Sequence, residues 1–151
     1  MSSTDQDQEP RTAYPFLPIP FLELLGVERE SVANGKARLT LELQPQLRNL
    51  YDGFHGGVIM TLLDVAMASA AVSHSDFRNT VVTIDMSVSF VSPASGTVVA
   101  EAEALGGGKS ICFCEGRVTD ASGNLVARAN GTFKYLKIPK HMVAGGENSQ
   151  T

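Results

Sequence analysis

The carboxylate of Asp64 is the most unusual chemical group in this sequence, because it interrupts the most apolar segment of the chain. Leu62 and Leu63 precede it, and Val65 and Ala66 follow it. A carboxylate in such surroundings costs several kcal/mol unless it is hydrogen-bonded, paired or wetted by a cavity. It can act as a general base or a nucleophile, or it can bond a neighbouring strand. Asp64 alone leaves the catalytic and the structural role open.

A glycine-rich segment that runs from Asn49 to Gly57 and leads into the apolar segment is the second candidate. Gly56 and Gly57 fall where a helix is predicted to begin, and glycines there let a ligand approach the backbone. The unpaired N–H groups and the positive dipole end of a helix suit an anion or a developing oxyanion. A plain glycine turn is the simpler explanation of this segment alone, and the nearby Asp64 favours a functional site.

The spacing between the two features has a consequence for subunit number. Gly56 and Asp64 are eight positions apart (64 − 56) on one predicted helix, which is roughly 12 Å along its axis. An attacking group and an oxyanion donor must both lie about 3 Å from the reacting atom. If both act together, Asp64 of one chain must meet the Gly56 end of another, which predicts a two-fold dimer with shared sites.

A second glycine run, which ends in Lys109 and Ser110, is similar to a phosphate-binding loop but departs from it. That motif requires glycine where Glu103 stands, and it leads into a helix rather than joining two strands. We interpret the run as a hairpin turn whose Lys109 and Ser110 could still contact a phosphate group.

Metal and serine-hydrolase chemistry are not supported by the sequence. His55, His74 and Asp64 lack metal-ligand spacing, and there is no Gly-x-Ser-x-Gly motif. Cys112 and Cys114 fall on one face of a predicted strand, which indicates inert core thiols. We therefore expect no metal.

Composition places the chain among single soluble domains. It has 151 residues, of which 43% are hydrophobic and 19% charged, and a domain of this length needs no disulfide or metal to stabilise its core. Two closely spaced cysteines argue for a reducing compartment. The first ten residues lack the basic and apolar regions of a signal peptide, so we expect a cytoplasmic protein.

The charge distribution argues against nucleic acid as a partner. The net charge is −4, and the mildly acidic body lacks the basic stripe that duplex DNA or RNA requires. Lys134, Lys137 and Lys140 form a basic stretch near the C-terminus. With Lys109, they are the candidate cations for an anionic ligand.

Hydrophobic periodicity predicts a short helix, two paired strands, a long buried helix and four further strands. These elements are predicted at residues 16–26, 27–33, 36–43, 56–74, 82–90, 98–104, 110–119 and 124–137. In the strand at 82–90, simple alternation places Val82, Ile84 and Phe90 opposite Thr83 and Asp85. The order predicts an α+β fold in which an antiparallel sheet curls around one helix.

The domain boundaries follow from the same pattern. Residues 1–15 are polar and are expected to be a disordered tail, residues 16–138 form the domain, and residues 139–151 are expected to be a flexible tail. A membrane span at 56–74 is disfavoured, because Asp64 interrupts a run that would need about 20 apolar residues.

Several motifs together resemble those of the hotdog-fold acyl-CoA thioesterases, specifically the PaaI-like branch of the 4-hydroxybenzoyl-CoA thioesterase superfamily. They cover roughly residues 35–136. They are Asn49, His55-Gly56-Gly57, Asp64, Val82-Thr83-Ile84-Asp85-Met86, Ser92-Pro93-Ala94 and Gly123-Asn124-Leu125-Val126-Ala127. Two departures are Arg48, where a polar residue is common, and the extra carboxylate of Asp52, which we expect to face solvent.

The resemblance implies a hotdog fold and a role for each matching residue. Asp64 would be the general base or nucleophile across a dimer interface, and the Gly56 N–H would polarise the thioester carbonyl. Asn49 would help to place water or substrate, His55 would support the loop, and Thr83 would contact the acidic side chain or water.

The predicted activity is hydrolysis of an acyl-CoA by a homodimer or a dimer-of-dimers tetramer. CoA is part of the substrate, so no cofactor is expected, and Gly57, Lys109, Ser110 and Lys134 are predicted substrate-binding residues. One alternative is a hydroxyacyl-thioester dehydratase or hydratase with His55 as the base. Another is a non-catalytic acyl-CoA-binding module. The acyl group is not predictable from the sequence.

Overall fold

Six antiparallel strands form one sheet in the computed structural model, which describes residues 17–143. In chain order the elements are α1 (Pro20–Leu25), β1 (Glu28–Ala33), β2 (Lys36–Glu42), α2 (Gly56–His74), β3 (Asn79–Phe90), β4 (Thr97–Gly106), β5 (Ile111–Asp120) and β6 (Leu125–Lys137). The strand order is β1-β2-β4-β5-β6-β3, so β1 and β3 are the edges of the sheet. The sheet curls around α2, as predicted.

The first two strands follow from local sequence signals. β2 buries Ala37, Leu39 and Leu41 and exposes alternate polar residues, which gives it one face toward the core. The turn before it has positive φ at Asn34 (54°) and Gly35 (73°), the conformation of a tight hairpin that favours these residue types. The predicted β1–β2 hairpin is confirmed.

Helix α1 is shorter than the predicted stretch 16–26. Pro20 occupies its first turn, whereas Ile19 before it is extended, as a residue preceding proline prefers. Gly26 ends the helix in the left-handed region (φ 83°).

Helix α2 provides the core. Nine of its residues are buried, and seven of them share one hydrophobic cluster with the inward residues of the sheet. The helix approaches β5 and β6 closely where these strands carry glycine: a Cβ at Gly116 would lie 3.2 Å from Met67 Cγ, and one at Gly131 would lie 3.0 Å from Met67 Cε. These glycines make room for Met67.

Within residues 17–143, α2 is the one helix long and apolar enough to cross a membrane by length and composition. Half of that apolar stretch is buried inside the domain. The core helix of a sheet-wrapped domain meets the same criteria, and α2 occupies that position here.

The simple alternation predicted for β3 is wrong around residue 84. Thr83 pairs with Phe133 and Asp85 with Thr132, so Ile84 is an extra residue in a β-bulge. The bulge changes the phase of the strand. Val81 and Thr83 face inward before it, whereas Met86 and Val88 pack on the core after it, and Val82 and Ile84 are exposed by 45% and 53%. Beyond the bulge, inward packing resumes.

Both predicted tails lie mainly outside the described residues. Residues 1–15 and 144–151 are not among them. In the predicted C-terminal tail, Lys140–Met142 forms one 3-10 turn. The boundary near residue 138 therefore stays a prediction.

Candidate active site

The N-terminus of α2 presents an unpaired backbone N–H group. His55 is the N-cap residue, and its Nδ1 accepts a hydrogen bond from the Gly57 N–H at 2.9 Å. Val58 and Ile59 donate to the His55 carbonyl. The Gly56 N–H has no acceptor in the part of the chain that the structure describes, so it is available to polarise a bound oxygen.

The hydrogen bond at His55 also determines which of its two ring nitrogens carries the proton. Because Nδ1 accepts, the neutral imidazole carries its proton on Nε2. A general base would need an unprotonated nitrogen that is free. His55 therefore fits the predicted supporting role better than the role of a dehydratase base. The N–H of Gly57 donates to this cap, and the predicted role of Gly57 in substrate binding stays a prediction.

Asn49 organises the loop before α2. Its Oδ1 accepts hydrogen bonds from the N–H groups of Tyr51 (2.8 Å) and Gly53 (3.1 Å), and its Nδ2 donates to the Phe54 carbonyl (3.2 Å). The loop is closed further by the Asn49 N–H, which donates to the Gly53 carbonyl at 2.8 Å. The amide group thus holds the loop in shape, and only its second Nδ2 hydrogen remains for a ligand.

Asp64 lies on the side of α2 that faces β3. Its Oδ1 accepts a hydrogen bond of 2.6 Å from Thr83 Oγ1, the contact that the resemblance implied. Arg38 is the base in every salt bridge among residues 17–143, so no cation pairs with Asp64. Asp64 is half-buried, because β3 is an edge strand that leaves this side of the helix partly open.

Sequence reasoning missed the contribution of Phe90 to this site. A Cβ added at Gly56 would lie 3.4 Å from Phe90 Cε1, so the aromatic ring flanks the free N–H group. The two residues also border one cavity of about 310 Å³. It is lined by Asn49, Phe54, Gly56, Ile59, Phe90, Val91, Ser92, Pro93, Ala94 and Val126. The only sequence signal was the position of Phe90 at the end of an apolar alternation.

The candidate phosphate-binding residues lie at one end of the sheet. Lys134 on β6 pairs with Ile111 and Val82, and the Tyr135 N–H donates to the Ser110 carbonyl at 2.9 Å. Lys109 precedes Ser110 in the β4–β5 hairpin, which brings these predicted residues into one region. This region adjoins the Thr83 end of β3, whereas Gly56 adjoins the Phe90 end.

The structure supports the exclusion of thiol chemistry. Cys112 and Cys114 are free thiols buried in the core, with their sulfur atoms 3.9 Å apart. Burial raises the pKa of the Cys114 thiol well above its usual range, so it stays protonated and unreactive. Among residues 17–143, no group of three or more His, Cys, Asp and Glu side chains could hold a metal ion.

Comparison with known proteins decides the family. The family model of the thioesterase superfamily matches residues 53–127, the stretch that contains Gly56, Asp64 and Thr83. The chain is 31% identical over 127 residues to a Halobacterium salinarum protein provisionally named an esterase, covering 77% of this chain and 84% of that one. This chain belongs to the thioesterase superfamily. It is also similar to acyl-coenzyme A thioesterase 13 of Homo sapiens, with 29% identity over 120 residues, 77% of this chain and 84% of that protein.

Solved structures of other proteins share this fold. A conserved protein from Pseudomonas aeruginosa superposes with a TM-score of 0.75 and 31% identity, covering 79% of this chain and 95% of that one. The E. coli PaaI protein superposes with a TM-score of 0.71 and 24% identity, covering 77% of this chain and 83% of that one. The predicted hotdog fold is confirmed.

Proposed function

We propose that this thioesterase-superfamily protein hydrolyses acyl-CoA thioesters to a free acid and CoA. The observation that carries the proposal is the half-buried Asp64 carboxylate, held by Thr83 at 2.6 Å on one oxygen and free of a cation. Its other oxygen can accept a proton or attack a carbonyl carbon. The substrate class is supported by the likeness to human acyl-coenzyme A thioesterase 13.

Two chains complete each site in this proposal. Gly56 and Asp64 are separated by roughly 12 Å along one helix, too far for both to reach one carbonyl group. In an isologous dimer, edge strand β3 can pair with β3 of the partner subunit, and the two-fold axis makes these two strands antiparallel. The Thr83 end of one strand then approaches the Phe90 end of the other, which brings Asp64 toward the partner's Gly56.

The proposed reaction uses these groups in one sequence of bond changes. As the water oxygen bonds to the thioester carbon, Asp64 takes one water proton and the partner's Gly56 N–H stabilises the developing oxyanion. Collapse of the tetrahedral intermediate breaks the C–S bond, and the proton passes from Asp64 to the CoA sulfur. In the nucleophilic variant, Asp64 itself attacks, CoA leaves, and water cleaves the resulting anhydride.

The CoA phosphates would bind at the end of the sheet that carries Lys109, Ser110 and Lys134. Lys109 and Lys134 are exposed and lie at the same end of the sheet as Thr83, so the chain that supplies Asp64 would also supply the cations. Because the substrate carries its own CoA, the proposal requires no cofactor. We also propose a cytoplasmic homodimer or dimer of dimers.

A thiol-release assay with acetyl-, octanoyl-, benzoyl- and phenylacetyl-CoA tests this function. We expect stoichiometric free CoA and free acid from at least one substrate. A dehydratase would instead convert a hydroxyacyl-CoA to an enoyl-CoA without thiol release. Binding of acyl-CoA with no product of either kind would identify a binding module and contradict the proposed activity.

A further inference from the structure

Leu50 and Tyr51 are the most exposed large hydrophobic side chains among the described residues. Their side chains are accessible by 91% and 87%, compared with 73% for Leu24 on α1. Scattered exposed hydrophobic residues are ordinary on protein surfaces. Two adjacent ones at the tip of a turn beside a candidate active site call for a specific explanation.

The turn that carries them is closed by hydrogen bonds to Asn49. The Asp52 N–H donates to the Asn49 carbonyl at 3.3 Å, and the Tyr51 N–H donates to Asn49 Oδ1 at 2.8 Å. Asp52 adopts a positive φ of 61°, which Asp tolerates better than most residues. Leu50 and Tyr51 are therefore presented to solvent by a preorganised backbone, and a bound ligand would not have to order it.

The turn also adjoins the site. Asn49, which accepts a hydrogen bond from the Tyr51 N–H, lines the cavity of about 310 Å³ that also borders Gly56. A thioester carbonyl held at the Gly56 N–H has its acyl group next to this cavity. Leu50 and Tyr51 are not among the residues that line this cavity but follow Asn49 directly, so they are placed to contact the part of an acyl group that is too long for the cavity.

We propose that Leu50 and Tyr51 form an apolar rim that contacts the distal part of long acyl groups, so that this turn determines chain-length specificity. The inference rests on the proposed acyl-CoA hydrolysis. The turn would contact only the acyl chain, whereas Asp64 and Gly56 perform the chemistry and other residues bind CoA.

The experiment compares wild type with the double variant Leu50→Ala/Tyr51→Ala on acetyl-, butyryl-, octanoyl- and dodecanoyl-CoA. We expect unchanged kcat/KM for the two short substrates and a loss of about tenfold for dodecanoyl-CoA, mainly through KM, as removal of apolar contacts predicts. Leu50→Met/Tyr51→Phe should retain the wild-type profile. The matched control Phe21→Ala/Leu24→Ala likewise removes one aromatic residue and one leucine from exposed positions of α1, and should change nothing.

The binding of S-alkyl-CoA thioethers of the same chain lengths, measured by calorimetry, provides a readout independent of turnover. Weaker binding of the long thioethers alone supports the rim even if no hydrolysis occurs, in which case only the proposed function fails. A uniform change across all chain lengths, no change at all, or dissociation of the oligomer in sedimentation would overturn the rim and leave the hydrolase proposal intact.

Discussion

The contact between Asp64 and Thr83 explains how a carboxylate persists on an otherwise apolar helix. The hydrogen bond of 2.6 Å satisfies one oxygen, and the open side of the edge strand leaves the other accessible. Replacement by Asn keeps the shape but removes the basic oxygen. Asp64→Asn should therefore lower kcat by about 10² or more with the fold intact.

Thiol release and thermal unfolding measured on the same preparation check this prediction. Asp76→Asn is the matched control, because Asp76 is exposed just after α2 and its positive φ of 53° is tolerated equally by Asn. Turnover of Asp64→Asn near the wild-type value would remove Asp64 from the mechanism.

The charges proposed to hold CoA make a separate prediction. Changing Lys109, Lys134, Lys137 and Lys140 together to Gln should raise KM by about tenfold or more at low salt, with kcat nearly unchanged, because charge-assisted contacts to phosphate are lost. Lys36→Gln is the control, since Lys36 is exposed on β2 and two strands, β4 and β5, separate β2 from β6. An unchanged KM for the quadruple variant would show that these lysines do not bind CoA.

Among the elements, the β4–β5 hairpin depends most strictly on glycine. Gly107 has φ 154°, and a Cβ there would lie 2.6 Å from the Ile111 carbonyl oxygen, whereas Gly108, with φ 131°, has nothing within 4 Å. Both Gly→Ala changes strain the backbone, but only Gly107→Ala adds a backbone clash. We expect Gly107→Ala to lower the unfolding free energy by about 1–3 kcal/mol more than Gly108→Ala. Urea denaturation of both variants measures the difference, and equal losses would contradict it.

The sequence predicted the elements well and their local contacts less well. The alternation of β2, the Asn34-Gly35 turn and the apolar run of α2 are local signals, and each was confirmed. The bulge at Ile84 depends on pairing between β3 and a strand distant in sequence, β6, so alternation alone could not show it. The ring of Phe90 beside Gly56 likewise follows from that pairing.

At the scale of the whole molecule, edge strand β3 has backbone groups and apolar side chains that a single chain does not cover. Within residues 17–143, β3 pairs on one side only, and Val82, Ile84 and Phe90 are exposed by 45%, 53% and 54%. An unpaired apolar edge strand favours association with another chain. Pairing of two such edges would cover these side chains and unite the two halves of each proposed site, so oligomerisation and activity should be inseparable.

Complementation between inactive subunits tests this shared site most directly. Asp64→Ala inactivates one half. Gly56→Val inactivates the other, because a Cβ there already contacts the Phe90 ring at 3.4 Å and the two further methyl groups would fill the space beside the Gly56 N–H. Co-expressed with different tags and purified through both, the mixed dimer retains one site with wild-type Asp64 from one chain and wild-type Gly56 from the other. We predict up to half the wild-type thiol release per mixed dimer from two inactive parents. No recovery in the purified mixed dimer, or full activity in an isolated monomer, would contradict the shared site.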